Sequence, residues 1–212
     1  YVPTRKPGSV PSMAAYFGNL LLFAGSMLGV VLSRNLIQFF IFFELAIVPT
    51  FFLVYVWGSG PCKLIAIKYF VYMFVGGNLL LLGIAWIYAT VNTLDMLALP
   101  RLLFEVGSRD SFVIAVLLFV GFGMKAAIIP FHTWLPDFHA EAPVPIHALL
   151  SAVLIKCGIY GIVRLVFVAF PSLVGGMGNA DARSFLLVLS LATMVWGAMM
   201  ALTQIQIKRI LA

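Results

Sequence analysis

The sequence is poor in charged residues. Only 9% of its 212 residues are Asp, Glu, Lys or Arg, whereas 63% are hydrophobic, and soluble domains carry about 25% charged residues. This composition indicates an integral membrane protein and argues against a globular domain with a large core. The net charge of +6 does not point to a nucleic-acid partner. The basic residues stand singly between apolar segments, where they anchor helices at lipid headgroups.

Cysteines and catalytic motifs are also scarce. The two cysteines are Cys62, which we predict to lie in a loop, and Cys157, which falls within an apolar segment, so we expect no disulfide between them. The sequence has no CxxC pair, no phosphate-cradling glycine loop and no nucleophile–base constellation. These absences argue against small-molecule chemistry within the chain, and we expect it to hold neither a cofactor nor a metal of its own.

Long apolar runs make up most of the sequence. Backbone groups in lipid must satisfy one another, and the polar–apolar alternation of membrane strands is absent, so helices are expected. We predict an all-α polytopic membrane protein with about six transmembrane helices, each near the ~20 residues that cross a ~30 Å core. The predicted spans are 12–33, 35–57, 64–90, 111–131, 146–170 and 184–202. They divide the chain into a polar N-terminal segment (1–11), a bundle of five spans (12–170), and a loop with a further span (171–212).

Three ionisable residues lie inside these apolar runs: Glu44, Lys125 and Lys156. The helical rise places Glu44 ~13 Å and Lys156 ~15 Å into their spans, where a charge costs about 2.5–3.5 kcal/mol. Such residues usually pair inside a bundle or line a proton or ion path. We predict a proton route, in which a movable carboxylate controls the proton on a buried lysine. The alternative is a static ion pair that only orders the bundle.

Proline follows two of these charges at the fifth position. Pro49 follows Glu44, and Pro130 follows Lys125. A proline removes the hydrogen bond to the carbonyl four residues earlier, which here belongs to the residue after each charge. A carbonyl freed in a membrane needs water, a hydroxyl or an ammonium group. We therefore expect water to enter the helices beside both charges; a kink with no transport role is the alternative.

Several polar residues have weaker signals. His132 lies seven residues after Lys125, on the same face if the helix continues, and is a candidate proton relay. His147 opens the fifth span and is interpreted as a polar contact. Lys68 and Arg164 lie near the ends of their spans, where long basic side chains extend to the membrane interface.

Three segments carry a family resemblance. FFELAIVPTFFLVYVWG, AIKYFVYMFVGGNLLLLG and GFGMKAAIIPFHTWLPDFHAEAPVPIHALLSAVLIKCGIYGIVRLV follow one another along the chain and resemble the antiporter-like membrane subunits of respiratory complex I. The WG turn after Glu44 and the LIK at Lys156 look most like NADH dehydrogenase subunit 4, the bacterial chain M. PVPIHALLS departs from that pattern and looks more like related hydrogenase and Mrp antiporter chains.

The resemblance implies a role for each matched residue. Glu44 matches the glutamate of the fifth family helix, Lys125 matches its lysine partner on a discontinuous helix broken near Pro130, and Lys156 matches the onward lysine of the eighth helix. The string after the break is matched by His132, Trp134, Pro136, Asp137 and His139. The family's second half, with its own broken helix, is not in this sequence.

The resemblance also implies a function. The chain is expected to be a proton-translocating membrane-arm subunit of a redox-driven NADH:quinone oxidoreductase, in the mitochondrial inner membrane or a prokaryotic cytoplasmic membrane. Flavin and iron–sulfur clusters would lie in partner subunits. Its partners would be other membrane-arm subunits, a chain supplying the second half, and lipids. The alternatives are an antiporter-like subunit of a Mrp-type cation/proton antiporter or membrane-bound hydrogenase, a non-conducting structural module and, more distantly, a membrane cytochrome.

Overall fold

The computed structural model of the protein describes residues 12–168, 170 and 180–211. Across these residues the chain is helical, with no β-structure beyond one isolated bridge between Asn35 and Asp95. The predicted all-α class is confirmed. The predicted N-terminal segment 1–11 and the loop residues 171–179 lie outside the described part.

The described chain forms long helices joined by short connections. We number them in chain order: α1 (Met13–Leu32), α2 (Leu36–Leu45), α3 (Ile47–Trp57), α4 (Cys62–Val91), α5 (Leu99–Leu102), α6 (Ser108–Lys125), α7 (Leu135–Glu141), α8 (Val144–Leu149), α9 (Ile155–Gly161), α10 (Ala180–Thr203) and α11 (Ile207–Leu211). A 3₁₀ turn, Phe131–Trp134, leads into α7, and π-helical segments Leu150–Leu154 and Ile162–Phe167 flank α9.

Five helical runs among the described residues are long and apolar enough to cross a membrane. They are Met13–Leu32, Leu36–Trp57, Cys62–Val91, Val144–Phe167 and Ser184–Thr203, and each overlaps a predicted span. The remaining predicted span, 111–131, is discontinuous: α6 ends at Lys125, and helical structure resumes at Phe131. One detail of the prediction is wrong, because Cys62 is the buried first residue of α4 and not a loop residue.

Glycines let α4 and α6 pack closely. A Cβ built on Gly76 would lie 3.1 Å from the Gly121 carbonyl oxygen, and one on Gly121 would lie 2.6 Å from Leu80. Helices in lipid associate mainly through such packing, since lipid chains are as apolar as the side chains they would replace. The close approach positions the C-terminal end of α6, where the break occurs, against the middle of the bundle.

Aromatic rings fill the interior around the break. Tyr69 stacks on Phe138 with ring centroids 4.0 Å apart, and Trp134 packs against both rings. Phe39, Phe43 and Phe122 form a second buried group through stacked and edge-to-face contacts. These two groups hold α2, α4, α6 and α7 around one internal site.

Candidate functional site

The site lies where α6 ends inside the bundle. The amide of Ala126 bonds the carbonyl of Phe122 (2.8 Å), and the amide of Ile128 bonds the carbonyl of Gly123 (2.9 Å), which closes the last helical turn. Between them Ala127 adopts a left-handed conformation, with φ 55°. This is the Schellman arrangement, in which that position is usually glycine. A left-handed alanine costs roughly 1–2 kcal/mol, so the surrounding packing must enforce the break.

The carbonyls freed at this break are used by neighbouring groups. The indole Nε1 of Trp134 donates to the carbonyl of Met124 (2.9 Å), and the amide of Phe131 bonds the carbonyl of Ile128 (2.7 Å). A buried carbonyl without a partner costs about 1–3 kcal/mol. Trp134 therefore ties the resumed helix back to the end of α6 and fixes the geometry around Lys125.

Lys125 is the buried cation of the site. Its side chain is 3% exposed and its ammonium lies 3.7 Å from Glu44 Oε1. The ammonium also donates to the carbonyl of Phe43 (2.5 Å) and lies 3.4 Å from the centroid of the Phe43 ring. The predicted pairing of Glu44 and Lys125 is thus realised in the geometry. The carbonyl that accepts from the lysine belongs to Phe43, not to the residue after either charge.

Glu44 is the less buried partner, with a side chain that is 25% exposed. Its Oε1 makes no hydrogen bond, and 3.7 Å is longer than a direct hydrogen bond to Lys125. Space for the carboxylate is provided by Gly77 of α4, since a Cβ there would lie 2.5 Å from Oε2. The pair is therefore in ionic contact without being locked by a hydrogen bond.

A second helix break lies beside Glu44. The run Leu36–Trp57 is interrupted at Ala46, three residues before Pro49. The hydroxyl of Thr50 donates to the carbonyl of Ala46 (2.8 Å) and also contacts the hydroxyl of Tyr69 (2.9 Å). Thr50 thus bonds the carbonyl next to the one that Pro49 frees, which belongs to Leu45, so the predicted partner of the Leu45 carbonyl stays a prediction. The resulting row of buried polar groups, from Tyr69 through Thr50, runs beside Glu44.

Lys156 is placed differently from the prediction. It lies near the middle of the span Val144–Phe167, but its side chain is exposed on the outside of the described bundle. Its ammonium donates to the carbonyl of Ser151 (2.6 Å), five residues earlier, where the helix widens into its π-helical segment. Sequence spacing gives the depth of a residue but not the direction in which it points. The expected burial of Lys156 within this bundle is therefore corrected.

His132 lies on the far side of the break. Its Nε2 accepts from Trp196 Nε1 (3.0 Å), and its Nδ1 is buried without a hydrogen bond. Both side chains line a cavity of about 210 Å³ next to α10. The expected shared face with Lys125 is lost because the helix does not continue through residues 126–130. Among the described residues no hydrogen bond joins His132 to Lys125.

Two clusters of polar side chains are not predicted from the sequence. His139 Nδ1 lies 3.1 Å from His147 Nδ1 and 3.4 Å from the hydroxyl of Ser151. Near the start of α4, Lys68 donates to Asp137 Oδ2 (2.9 Å), and Arg209 approaches Asp137 Oδ1 (3.6 Å). Lys68 was expected only to extend to the interface. The sequence does indicate that Asp137 and His139 follow a helix break. Polar residues at such a position can contact neighbouring helices, and this could have suggested both clusters.

The cysteines and the possible metal ligands of the described residues do not form a cluster. Cys62 and Cys157 are free and buried, and Cys157 Sγ lies 3.3 Å from Met27 Sδ. Within residues 12–168, 170 and 180–211 no three His, Cys, Asp or Glu side chains form a group that could hold a metal ion.

Comparison with known proteins gives consistent matches. The family described as NADH:quinone oxidoreductase/Mrp antiporter, transmembrane, matches residues 33–212. NADH-quinone oxidoreductase subunit M of Rickettsia prowazekii (strain Madrid E) is 30% identical over 197 residues, which cover 93% of this chain and 39% of the relative.

Two solved structures have the same fold. A chain of respiratory complex I from Thermus thermophilus with bound NADH matches with a TM-score of 0.80 at 25% identity, over 92% of this chain and 41% of that chain. A chain of the membrane-bound sulfane sulfur reductase, an archaeal respiratory membrane complex, matches with a TM-score of 0.76 at 25% identity, over 97% and 41%.

The chain spans about two fifths of the length of these proteins. The matched residues include the two helix breaks and the Glu44–Lys125 pair between them. The protein therefore belongs to the NADH:quinone oxidoreductase/Mrp antiporter transmembrane family.

Proposed function

We propose that this chain is a proton-conducting membrane subunit of a redox-driven NADH:quinone oxidoreductase of the complex I type. The single observation that carries the proposal is the Lys125 ammonium, 3% exposed and 3.7 Å from Glu44 at the junction of two broken helices. Buried amines and carboxylates of this kind mark proton relays in membrane proteins. The names of the relatives supply the electron-transfer reaction.

In the proposed mechanism Glu44 controls the proton on Lys125. An ionised Glu44 favours the ammonium form, because an opposite charge at this distance stabilises it. When Glu44 takes up a proton or moves away, Lys125 loses its counter-charge and releases its own proton. The carboxylate is free to move, since its Oε1 makes no hydrogen bond. A movement of the carboxylate by about 1 Å would bring the two groups from 3.7 Å into direct hydrogen-bond contact.

Lys156 and His132 are proposed to extend the route beyond this pair. Lys156 lies mid-span on the outer side of the described bundle, where its ammonium meets the Ser151 carbonyl, and this position suits onward transfer towards neighbouring helices. His132 has a buried Nδ1 without a partner beside a cavity, and this position suits an exchange with water. No group in the described chain has to carry electrons in this scheme.

The proposed function requires partner subunits for electron transfer and for the rest of the proton route. Flavin and iron–sulfur clusters in other subunits would oxidise the donor, and a second half-bundle would provide the rest of the transmembrane route. The span Ser184–Thr203 has no buried residue in the described chain. This apolar surface suits contact with further membrane-arm helices and with lipids.

The test is substitution of Lys125 in the assembled complex. We expect Lys125→Met to lower the number of protons moved per electron in closed membrane vesicles oxidising NADH. Lys125→Arg should fail as well, because a guanidinium keeps its charge but does not release a proton. The matched control is Lys63→Met, since Lys63 is an exposed lysine on the first turn of α4.

Normal proton transfer per electron in both Lys125 variants, with the complex fully assembled, would contradict the proposal. Retained transport after joint neutralisation of Glu44, Lys125 and Lys156 would support the structural-module alternative. The Mrp-type alternative differs from the main proposal in its energy source, which is an ion gradient and not electron transfer. Proton transfer driven by a sodium gradient in the absence of NADH and quinone would identify that branch.

A further inference from the structure

We propose that Tyr69 is a positioning residue that joins the helix break beside Glu44 to the helix break at Lys125, and so sets the geometry in which this pair exchanges a proton; the inference rests on the proposed function above. Tyr69 lies on α4 and is 0% exposed. The steps of the Glu44–Lys125 mechanism do not use its hydroxyl. A buried phenol needs a hydrogen-bond partner, and the partner of this one lies at one of the two breaks.

The hydroxyl end of Tyr69 is tied to the first break. Thr50 Oγ1 lies 2.8 Å from the carbonyl of Ala46 and 3.0 Å from the carbonyl of Ile47. A carbonyl only accepts, so the single proton of the Thr50 hydroxyl points to these groups, and Tyr69 donates to Thr50 (2.9 Å). Ala46 is the residue at which α2 ends and α3 begins. The phenol therefore holds the hydroxyl that serves this break, two residues after Glu44.

The ring end of Tyr69 is packed against the second break. The ring stacks on Phe138 with centroids 4.0 Å apart and an angle of 17° between the planes, and its centroid lies 5.3 Å from that of Trp134. Trp134 in turn donates to the carbonyl of Met124 (2.9 Å), one residue before Lys125, where α6 ends. One side chain of α4 thus reaches, through a single neighbour on each side, the backbone next to both charges.

These contacts form a continuous connection between the two breaks. It consists of three side chains that are 0–1% exposed and of the carbonyl at each end, in the order Ala46, Thr50, Tyr69, Trp134 and Met124. Close-packed interiors transmit displacements, because their side chains have little space in which to yield. A shift of the backbone at one break is therefore carried to the other. The separation of Glu44 from Lys125 is then controlled by side chains outside the pair.

The group that responds to this connection is the carboxylate of Glu44. Coupling between two sites requires an element with two arrangements. The carboxylate is such an element, because its Oε1 makes no hydrogen bond and lies 3.7 Å from the Lys125 ammonium. Since the first break lies two residues after Glu44, its geometry sets how far the carboxylate reaches. A difference of about 1 Å separates ionic contact from a direct hydrogen bond.

Tyr69 positions other groups and does not itself pass a proton. It donates to Thr50, whose own proton is held by two carbonyls, so this row of hydroxyls ends on acceptors that have no proton to release. Glu44 interacts electrostatically with Tyr69 of α4, and Lys125 interacts with Cys157 of α9. We therefore expect the effect of Tyr69 in the pH dependence of the Glu44–Lys125 pair and not in a titration of its own hydroxyl.

The experiment measures NADH oxidation and proton transfer per electron against pH, in closed membrane vesicles that contain the assembled complex. Tyr69→Phe keeps the ring and removes its hydroxyl, and Thr50→Val keeps the shape of its side chain and removes the hydroxyl. We expect both variants to shift the pH profile in the same direction and to slow proton-coupled NADH oxidation about fivefold, the factor that corresponds to an average uncharged hydrogen bond. Thr50→Ser keeps the hydroxyl and should retain the unmodified profile. The matched control is Tyr88→Phe, which changes an exposed tyrosine of the same helix.

The other end of the connection gives a second measurement. Trp134→Phe removes the bond to the Met124 carbonyl and keeps an aromatic ring. Because both ends act through Tyr69, the effects of Thr50→Val and Trp134→Phe on the pH profile should be less than additive in a double-mutant cycle. The same cycle should become additive in the Tyr69→Phe background. Additive effects with Tyr69 in place would overturn the inference.

Unmodified pH profiles in Tyr69→Phe and Thr50→Val, with only a lower thermal stability, would also overturn it, since a purely structural bond gives that result. If Tyr69→Phe does not assemble, the two Thr50 variants decide, and equal profiles in Thr50→Val and Thr50→Ser would overturn the inference. Normal proton transfer in Lys125→Met would instead refute the proposed function. A defect in Lys125→Met with unmodified profiles in the Tyr69 and Thr50 variants would refute the connection alone.

Discussion

At the scale of the residue, Glu44 and Lys125 are unequal partners. The lysine side chain is 3% exposed and the glutamate side chain 25% exposed. Breaking a buried pair destabilises a protein chiefly by leaving the surviving charge without compensation. The loss of Glu44 therefore leaves an almost fully buried cation without its counter-charge, whereas the loss of Lys125 leaves an anion that is partly exposed.

This asymmetry predicts the stability of three variants. We expect Glu44→Gln to destabilise the bundle by about 3 kcal/mol, near the lower end of values for broken buried pairs, and Lys125→Met to destabilise it by less. The double variant should be more stable than Glu44→Gln alone, because no stranded charge remains. Denaturant titration of the detergent-solubilised complex, analysed as a double-mutant cycle, measures these differences. Additive effects of the two substitutions would show that the pair is not coupled.

The residues of this pair could be predicted, but their neighbours could not. Charges in apolar runs are conspicuous, and this identified Glu44, Lys125 and Lys156. Depth follows from position along a helix, but direction depends on how the helices pack, so Lys156 was expected inside and lies outside. The contact between His139 and His147 depends on a turn between two short helices. No periodic pattern in the sequence marks such a turn.

At the scale of the element, the site depends on how closely α4 approaches its neighbours. Gly77 faces the carboxylate of Glu44, whereas Gly18 of α1 has open space around it. Alanine is favoured over glycine by about 0.5–1 kcal/mol inside a helix. The same substitution is therefore expected to displace the Glu44 carboxylate at position 77 and only to stabilise the helix slightly at position 18.

We predict that Gly77→Ala displaces the Glu44 side chain and reduces proton transfer per electron. The new methyl group would lie 2.5 Å from Oε2 and 2.7 Å from Cδ, so the carboxylate must move. Because the carboxylate is the flexible end of a side chain, the complex should still assemble. The matched control, Gly18→Ala, should leave transport unchanged and raise thermal stability slightly. Equal transport in the two variants would show that the position of Glu44 is not critical.

The helix breaks were partly predictable at this scale. Pro49 and Pro130 indicated interruptions near Glu44 and Lys125, and both occur. The form of the second interruption was not predictable, because its left-handed residue is Ala127, and an alanine gives no such signal. The Trp134 indole donates to the Met124 carbonyl at this same turn, a tertiary contact that no sequence pattern indicates.

At the scale of the whole molecule, the charged side chains near the start of α4 are more exposed than the buried Lys125 in the centre of the bundle. Lys68, Asp137 and Arg209 link α4, α7 and α11, and their side chains are 35–38% exposed. Exposed ion pairs contribute little, typically 0–1 kcal/mol, because water and salt screen them. Their main effect is to fix how the resumed helix sits against its neighbours.

We therefore predict that Asp137→Asn lowers the free energy of unfolding by less than about 1 kcal/mol. The loss should shrink as salt is raised, since screening already weakens the pairs in the unmodified protein. Denaturant titration of the solubilised complex at low and high salt checks both statements. A loss as large as that in Glu44→Gln would mean that this cluster is far less hydrated than its exposure indicates.

The overall architecture was largely predictable from composition. Hydropathy located each membrane span within a few residues, because length and apolarity are imposed by the bilayer. It could not show which faces of the helices meet one another. The most exposed span, Ser184–Thr203, is as apolar as the buried ones, so sequence alone gave no reason to separate it from them.

That span has a consequence for handling residues 1–212 as an isolated polypeptide. None of the residues of Ser184–Thr203 is buried in the described chain, so an apolar face is left for other groups to cover. Large exposed apolar surfaces lead to association when nothing covers them. We therefore expect the isolated polypeptide to self-associate in mild detergent, and to do so less when lipids or further helices cover Trp196 and the residues around it.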